Sequence, residues 1–460
     1  MVQIQKKTSV IKGDRQKKYL LASLWLICSL LIPFTSFAVG PGFKIGKKGA
    51  FHPRLYLNTG FDNNVFQRPS NTTTAIPVRN SPFLNIRPGI QLELPTRTIS
   101  LAVNGYVNYS IYFQESSLNQ LTGKADLVVK FFEESPVSVE FANYFSRNSG
   151  DFATADDVFV QTLPFYQAGV PVGDTLLTFN NTSKLEFIFQ PGGGAFRFDL
   201  GYRFIFSIFQ NQALDNHKHA MNLGVKWYFF PKTAITFNAN FDIVNYAPRF
   251  DTSQNTPAAG PSADGMPFRA TVGLVGQFTE RLALLVNVGG GYTLIDETDQ
   301  RAVKDASGAV ENYGMVVGDI SLTYNISFTT FVRVGFRHDF HPAAFSNFYH
   351  ESVGSLEFFS QLSRFVITLR GEFGYIGFGS SPSQFKININ GSPASPGVTR
   401  ADLLARALAS VDWNVRDWLS FGILGRFVFR NSNASITTSL GNMDLSFTRI
   451  EAVFKTELAF

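Results

Sequence analysis

Arginine is the residue type whose spacing first suggests chemistry in this chain of 460 residues. Arg197 and Arg203, for example, stand an even number of residues apart. Successive side chains of an extended strand point to opposite faces, so even spacing places both cations on one face. Rings of arginine or lysine attract anions in anion-conducting pores. The arginines expected to share such a polar face are Arg197, Arg203, Arg333, Arg337, Arg364, Arg370, Arg406, Arg426, Arg430 and Arg449.

Acidic residues fall on the same faces, and they leave two interpretations open. Glu372 accompanies Arg370, while Glu451 and Glu457 accompany Arg449. In the first interpretation the arginines form a track that draws anionic solutes through a pore. In the second, Asp, Glu and Arg pair with one another and only neutralise a polar interior.

Histidines offer the other candidate chemistry. His217 and His219 are predicted to lie in a loop, and His338, Asp339 and His341 cluster at the end of a strand. Histidines at such spacing can bind a metal ion, but no further residue completes a ligand set. We therefore predict no metal site, no cofactor, no catalytic residue and no enzymatic activity.

Residues 1–38 have the pattern of a secretory signal peptide: a basic start, an apolar stretch over 19–34, and Ser36-Phe37-Ala38 as the cleavage site. The apolar stretch is shorter than the roughly 20 residues of a membrane-spanning helix. Loss of this segment, which holds six of the 40 basic and one of the 35 acidic residues, leaves 34 of each. A nucleic-acid partner is therefore not expected. Cys28, the only cysteine, leaves with the signal, so no disulfide is possible.

Alternating apolar and polar residues predict the elements that position these side chains. In 196–209, apolar residues from Phe196 to Ile208 occupy one face and Arg197, Asp199 and Arg203 the other. Such strands reconcile 48 phenylalanines with near-neutral mean hydropathy, because one face is apolar and the other polar. A soluble sandwich or propeller would instead hide the apolar faces against a second sheet. We predict an all-β fold, a transmembrane antiparallel up-and-down β-barrel of about 18 strands, with 16 also possible.

Short turns alternate with long loops along the predicted barrel. A short periplasmic N-terminal segment is expected at 39–53, before the transmembrane barrel at 54–460, and it is too short for a plug domain. The last strand, 446–460, is expected to close the barrel against the first, 54–66, because lipid offers no partners to an open sheet edge. The longest loop, 148–175, carries Asp151, Asp156 and Asp157 and is a candidate constriction loop; the alternative is a loop exposed at the surface.

The C-terminal strand is typical of bacterial outer-membrane barrels. Phe454, Leu458 and Phe460 lie on its apolar face, and the chain ends on that aromatic residue. Assembly machinery reads a final strand of this kind. We therefore expect three partners for the barrel: outer-membrane lipid, lipopolysaccharide and the barrel-assembly machinery.

The chain resembles a Gram-negative outer-membrane β-barrel of porin type. Pro53-Arg54-Leu55-Tyr56-Leu57 with Gly60-Phe61-Asp62-Asn63-Asn64-Val65, and then Ile86-Arg87-Pro88-Gly89-Ile90, are similar to the opening of the second β-barrel porin family. The resemblance implies a cell outer-membrane channel for passive or substrate-selective diffusion of small hydrophilic solutes, with an anion preference if the arginine track exists. The alternative is a surface structural or adhesin barrel whose long extracellular loops bind a partner.

Overall fold

The computed structural model describes most of the chain beyond the predicted signal peptide, which lies outside the described residues. The described residues are 42–65, 78–149, 177–192, 194–209, 215–246, 249–251, 256–258, 264–297, 304, 308–342, 346–380, 387–389, 392–393, 399–438, 441–444 and 446–460.

Eighteen long strands form one antiparallel barrel, which confirms the predicted fold. They are β1 (Gly49–Asp62), β2 (Ser81–Leu94), β3 (Ile99–Tyr112), β4 (Gln120–Phe131), β5 (Val137–Ser149), β6 (Leu177–Phe189), β7 (Phe196–Phe209), β8 (Asn216–Phe230), β9 (Thr233–Tyr246), β10 (Gly265–Gln277), β11 (Leu282–Ile295), β12 (Gly314–Ser327), β13 (Thr330–Pro342), β14 (Phe348–Leu362), β15 (Phe365–Ser380), β16 (Thr399–Arg416), β17 (Leu419–Ser432) and β18 (Phe447–Ala459).

The barrel closes between its first and last strands, as expected. β1 pairs with β2 on one side and with β18 on the other, in a register that runs from Arg54 opposite Ala459 to Asp62 opposite Glu451. Every other barrel strand pairs with its two neighbours in chain order. Closure leaves no barrel edge whose backbone N–H and C=O groups would face lipid unpaired.

Short turns join the strands at one end of the barrel and longer connections at the other. Only Pro231 and Lys232 separate β8 from β9, whereas residues 63–80 separate β1 from β2. We call these the short-turn end and the long-loop end.

Several short elements accompany the eighteen barrel strands. Phe43–Ile45 pairs with the start of β1, and Ser116–Leu118 forms a 3₁₀ helix at the long-loop end. The remaining short strands are Arg249–Asp251, Thr256–Ala258, Ile387–Ile389, Ser392–Pro393, Ala434–Thr438 and Gly441–Asp444, of which the last four form one small sheet. Among the residues described, no helix is long and apolar enough to cross a membrane.

The outer face of the barrel is a largely apolar surface. On β7, the side chains from Phe196 to Leu200 at alternate positions are exposed, as are Tyr202 and Phe206. Near the short-turn end, Trp418 stacks on Phe460 with ring centroids 5.8 Å apart. Exposed apolar side chains on this scale have no place in contact with water, and interfacial aromatic residues mark a membrane boundary. The outer face is therefore the lipid-facing side.

Polar side chains interrupt that outer face in places, and one such group lies on β5 and β6. Asn143 on β5 donates hydrogen bonds to Asn181 Oδ1 (3.2 Å) and Ser183 Oγ (2.9 Å) on β6. Asn181 returns a bond to Asn143 Oδ1 at 3.2 Å. We call these three residues the outer-face polar network. Because they bond to each other, they can lie between exposed Phe141 and Phe145 without leaving most of their polar atoms unpaired.

The lumen as the candidate functional site

The lumen-facing set of each strand follows from the alternation, and it contains the predicted charged residues. On β18, Arg449, Glu451 and Glu457 are buried on the luminal side, whereas Ile450 and Phe454 are exposed on the outer side. On β7, Arg197 and Arg203 share the luminal face with Asp199. The structure thus places both arginines where the sequence predicted them, facing the interior.

One side of the lumen, formed by β16 to β18 and β1, is filled with buried ion pairs, and β15 at its border supplies one of the acids, Glu372. The guanidinium of Arg406 lies 2.6 Å from Glu372, and that of Arg426 lies 2.9 Å from Glu451. Arg430 pairs with Asp402, and Arg449 pairs with Asp62. These four arginine side chains are only 2–8% exposed. We call this side the filled wall.

Apolar side chains pack over the filled wall toward the long-loop end. Phe83, Tyr112, Leu424 and Val453 form a buried cluster with Val65 and Leu118, which come from the connections after β1 and β3. A second cluster joins it through Leu408; its buried members are Tyr349, Ile376, Phe378, Leu404, Val428 and Phe447. The two connections therefore fold inward and cover part of this wall.

The opposite side, β4 to β14 with the luminal face of β15, carries more accessible charges. We call it the open wall. Arg337 lies 2.6 Å from Glu351, Arg333 lies 3.1 Å from Glu357, and Arg370 lies 3.1 Å from Glu372. These arginine side chains are 30–50% exposed. Their positive ends therefore remain in contact with the aqueous lumen, although each has an acidic neighbour.

A luminal recess of about 610 Å³ lies in the open wall across β5 to β9. Lys184 and Lys226 line it together with Arg203. Lys184 lies 3.0 Å from Glu140 and 2.7 Å from Glu186, while Arg197 lies 2.7 Å from Asp199. Neither lysine was among the predicted site residues, although both occupy the luminal face by the same alternation that places the arginines there.

A second recess, of about 420 Å³, opens between the start of the barrel and its last strands. The guanidinium of Arg87 lies 4.7 Å from the ring centre of Tyr106 and 5.6 Å from that of Tyr56. Arg54 donates a hydrogen bond to the side chain of Gln91. Arg54 and Arg87 also follow the alternation that assigns residues to the luminal face, so it could have identified them as lumen-facing. In the sequence they served only as parts of the family motifs.

The structure places Arg364 differently from the prediction, and it does not describe the candidate constriction loop. Arg364 lies in the turn between β14 and β15, exposed, and donates a hydrogen bond to the carbonyl of Val415 at 3.4 Å. It therefore lies at the short-turn mouth rather than along the wall. Asp151, Asp156 and Asp157 of the candidate constriction loop lie outside the described residues.

The histidines do not form one site. His217 and His219 belong to strand β8 rather than to a loop; Tyr202 and His219 Nδ1 lie 2.7 Å apart. Near the long-loop end, His338 is hydrogen-bonded to Ser352 (2.7 Å) and Tyr313 (3.1 Å).

The neighbours of His338 have other partners. Asp339 pairs with Arg269 at 2.7 Å, and His341 lies 3.5 Å from Glu351. Within the described ranges, no group of three or more His, Cys, Asp or Glu residues could hold a metal ion.

The fold and its lumen define a class of protein: a closed β-barrel of the outer-membrane type, with an apolar exterior and a charged interior. No family model matches the chain, and no curated protein sequence matches it.

Solved structures similar to it include the copper transporter OprC (10% identity, TM-score 0.47, covering 91% of this chain and 81% of that one). OccK3 (OpdO) from Pseudomonas aeruginosa has 9% identity, a TM-score of 0.42, and coverage of 89% and 95%. The siderophore receptor PirA from Pseudomonas aeruginosa has 10% identity, a TM-score of 0.42, and coverage of 89% and 80%. Nothing about solute or mechanism follows from matches this distant.

Proposed function

We propose that the protein is an outer-membrane channel through which small hydrophilic solutes diffuse, with a preference for anions. Barrels of 16–18 strands are wide enough to leave an aqueous passage. The localisation rests on the closed barrel, its lipid-facing exterior and the predicted signal peptide. Lipid, lipopolysaccharide and the barrel-assembly machinery are the partners that this location entails.

One observation carries the anion preference: in most ion pairs of the open wall, the cation is the more exposed partner. The Arg337 side chain is 50% exposed and its partner Glu351 only 1%. Lys218 is 26% exposed against 5% for Asp242, and Arg370 is 37% exposed against 9% for Glu372. The carboxylates are thus withdrawn into the wall, and a passing ion meets the positive ends first.

Exposure matters because interactions with a solute depend on distance and on screening. Two unit charges 4 Å apart in a surface-like environment interact by about 4 kcal/mol, and the interaction weakens within a Debye length of roughly 8 Å. A guanidinium at the passage therefore acts on a solute more strongly than a carboxylate behind it. The buried arginines of the filled wall contribute little, since each is held in an ion pair and its side chain is at most 8% exposed. The two interpretations of the sequence thus apply to different walls.

The test is the reversal potential of single channels in a planar bilayer with a potassium chloride gradient. We expect anion selectivity, and we expect Arg337→Gln to shift it toward cations. Arg147→Gln is the matched control: its guanidinium lies over Phe179, 5.3 Å from the ring centre, on the outer-facing side of β5, so selectivity should not change. Clear cation selectivity of the unaltered protein would refute the anion preference.

A surface-structural role is the second candidate, and the small sheet formed by long-loop-end connections favours it. This sheet joins segments of two different long-loop-end connections, with Ile387 opposite Ile436. Conductance in a planar bilayer discriminates the two functions. A channel should conduct, and it should keep its conductance after deletion of 434–444. Absence of conductance in the unaltered, folded protein would favour the surface-structural role.

A further inference from the structure

The recess on β5 to β9 holds one cation more than its acids can neutralise. Lys184 bridges Glu140 and Glu186, and Asp199 is shared between Arg197 at 2.7 Å and Lys226 at 3.8 Å. Arg203 forms no ion pair and no side-chain hydrogen bond with any residue that the structure describes. With Arg203 included, four bases face three carboxylates, which leaves a net charge of about one positive unit.

Arg203 is placed so that its head group can reach a ligand. It stands opposite Lys184 on β6 and opposite Ala220 on β8, and it lines the recess. Its Nε is buried without a hydrogen-bond partner among the described atoms. A buried donor of a charged group that lacks a partner is unfavourable, and an incoming anion would relieve that cost. The planar fork of a guanidinium matches the two oxygens of a carboxylate.

Neutral hydrogen-bonding groups line the rest of the recess. Asn222, Asn238 and Asn240 project from β8 and β9, and Tyr144 and Thr182 lie across from them. The three asparagine side chains make no hydrogen bond to another described residue. Each amide offers two donors and an acceptor, which suits hydroxyl groups that both donate and accept. A volume of about 610 Å³ falls within the range of ligand sites.

We infer that this recess is a binding subsite for a small monocarboxylate that carries several hydroxyl groups, such as a sugar acid. Its carboxylate is held by Arg203, and its hydroxyls are held by the asparagine amides. The single excess charge favours a monoanion over a dianion, because a second negative charge would face Glu186 and Asp199. The inference rests on the proposed function, because it requires that solutes enter the lumen. It adds the position at which a solute binds and the chemical class of solute that is preferred.

The first experiment measures equilibrium binding and does not depend on conductance. Sodium gluconate is titrated calorimetrically into the folded barrel in detergent micelles, with sodium acetate as the probe that lacks hydroxyls. We expect gluconate to bind more tightly than acetate. We also expect Arg203→Gln to weaken gluconate binding by about tenfold or more, as for loss of a charge-assisted hydrogen-bonded pair.

Two further variants separate three contributions to gluconate binding: the charge of Arg203, the planar shape of its guanidinium, and the amide of Asn240. Arg203→Lys keeps the charge but loses the fork, so its affinity should fall between those of the unaltered protein and Arg203→Gln. Asn240→Leu should weaken gluconate binding and leave acetate binding unchanged. Arg147→Gln is again the control outside the lumen. Retained heat-modifiable migration on gels shows that each variant is folded.

The outcomes distinguish failure of this inference from failure of the proposed function. The inference is wrong if the unaltered barrel does not bind gluconate, if Arg203→Gln binds it equally well, or if acetate binds as tightly. The diffusion channel is wrong if the unaltered protein carries no current in a bilayer, whatever it binds. Gluconate that binds and also slows the single-channel chloride current, with the slowing lost in Arg203→Gln, supports both.

Discussion

The closure seam between β1 and β18 provides the sharpest test of how burial determines the energetics of this barrel. Asp62 is fully buried and Arg449 is 3% exposed, and the two side chains form an ion pair across the seam. Asp62 also accepts a hydrogen bond from the backbone N–H of Asn64 at 2.9 Å. In Arg449→Met the carboxylate keeps that bond but loses its counter-charge. Leaving one partner of a buried pair uncompensated costs about 3–5 kcal/mol.

The double variant Asp62→Leu with Arg449→Met should recover most of that loss. Apolar replacement of a whole buried pair is often neutral or stabilising, because the desolvation cost of both charges disappears. The seam itself should persist, since Asn63 N–H donates to the carbonyl of Ile450 at 3.1 Å and Ile450 N–H to Asn63 Oδ1 at 2.7 Å. The recovery would appear as a large coupling energy in a double-mutant cycle.

The measurement is equilibrium urea unfolding of the barrel in lipid vesicles, followed by tryptophan fluorescence. Arg333→Met is the control, because its ion pair with Glu357 is part-exposed, at 30% and 25%. Exposed pairs contribute about 0–1 kcal/mol, so this variant should unfold almost as the unaltered protein does. If Arg449→Met loses no more free energy of unfolding than Arg333→Met, burial does not govern these pairs and the reasoning fails.

Three other perturbations have clear expected results. Asn143→Ala should lower the free energy of unfolding by about 1–2 kcal/mol, because it leaves its partners unpaired in lipid, whereas apolar replacement of the whole outer-face polar network should restore stability in the same urea assay. Phe460→Ala should reduce the folded barrel recovered from outer membranes more than it changes unfolding in vitro, where loss of stacking on Trp418 costs about 1 kcal/mol; an unchanged cellular yield would contradict the assembly role. Gly289→Val should prevent or weaken folding, since a Cβ there would lie 1.8 Å from the carbonyl oxygen of Ala270, while Gly290→Val, with open space around it, should be tolerated; equal refolding yields would refute this.

The barrel, its closure and the facing of its strands could be predicted from sequence because a strand has a side-chain period of two. That period assigns Arg449 to the lumen and Phe454 to lipid without any knowledge of neighbouring strands. Strand ends were less accurate. The first strand, expected at 54–66, runs from Gly49 to Asp62. Its start pairs with Phe43–Ile45, and such a local hairpin has no clear apolar alternation to reveal it.

The energetic state of each luminal charge could not be predicted, because alternation says which face a residue occupies but not what lies opposite it. Arg406 and Arg337 have the same pattern in sequence, yet their side chains are 2% and 50% exposed. The difference arises from strand order around the barrel and from the connections that fold over one wall. Asp62 and Arg449, which are 387 residues apart, become partners only through closure.

The contrast between the two walls has a physical consequence for a channel of this size. Buried ion pairs with their apolar cover resist rearrangement, since separating any pair leaves a charge in a region of low polarity. The cations of the open wall instead keep a large part of their side chains in contact with the aqueous lumen. A solute should therefore move along the open wall and displace water from Arg203, Arg337 and Arg370 in turn, while the filled wall fixes the shape of the passage. Selectivity would then respond to substitutions on β7, β13 and β15, and stability to substitutions on β1 and β16 to β18.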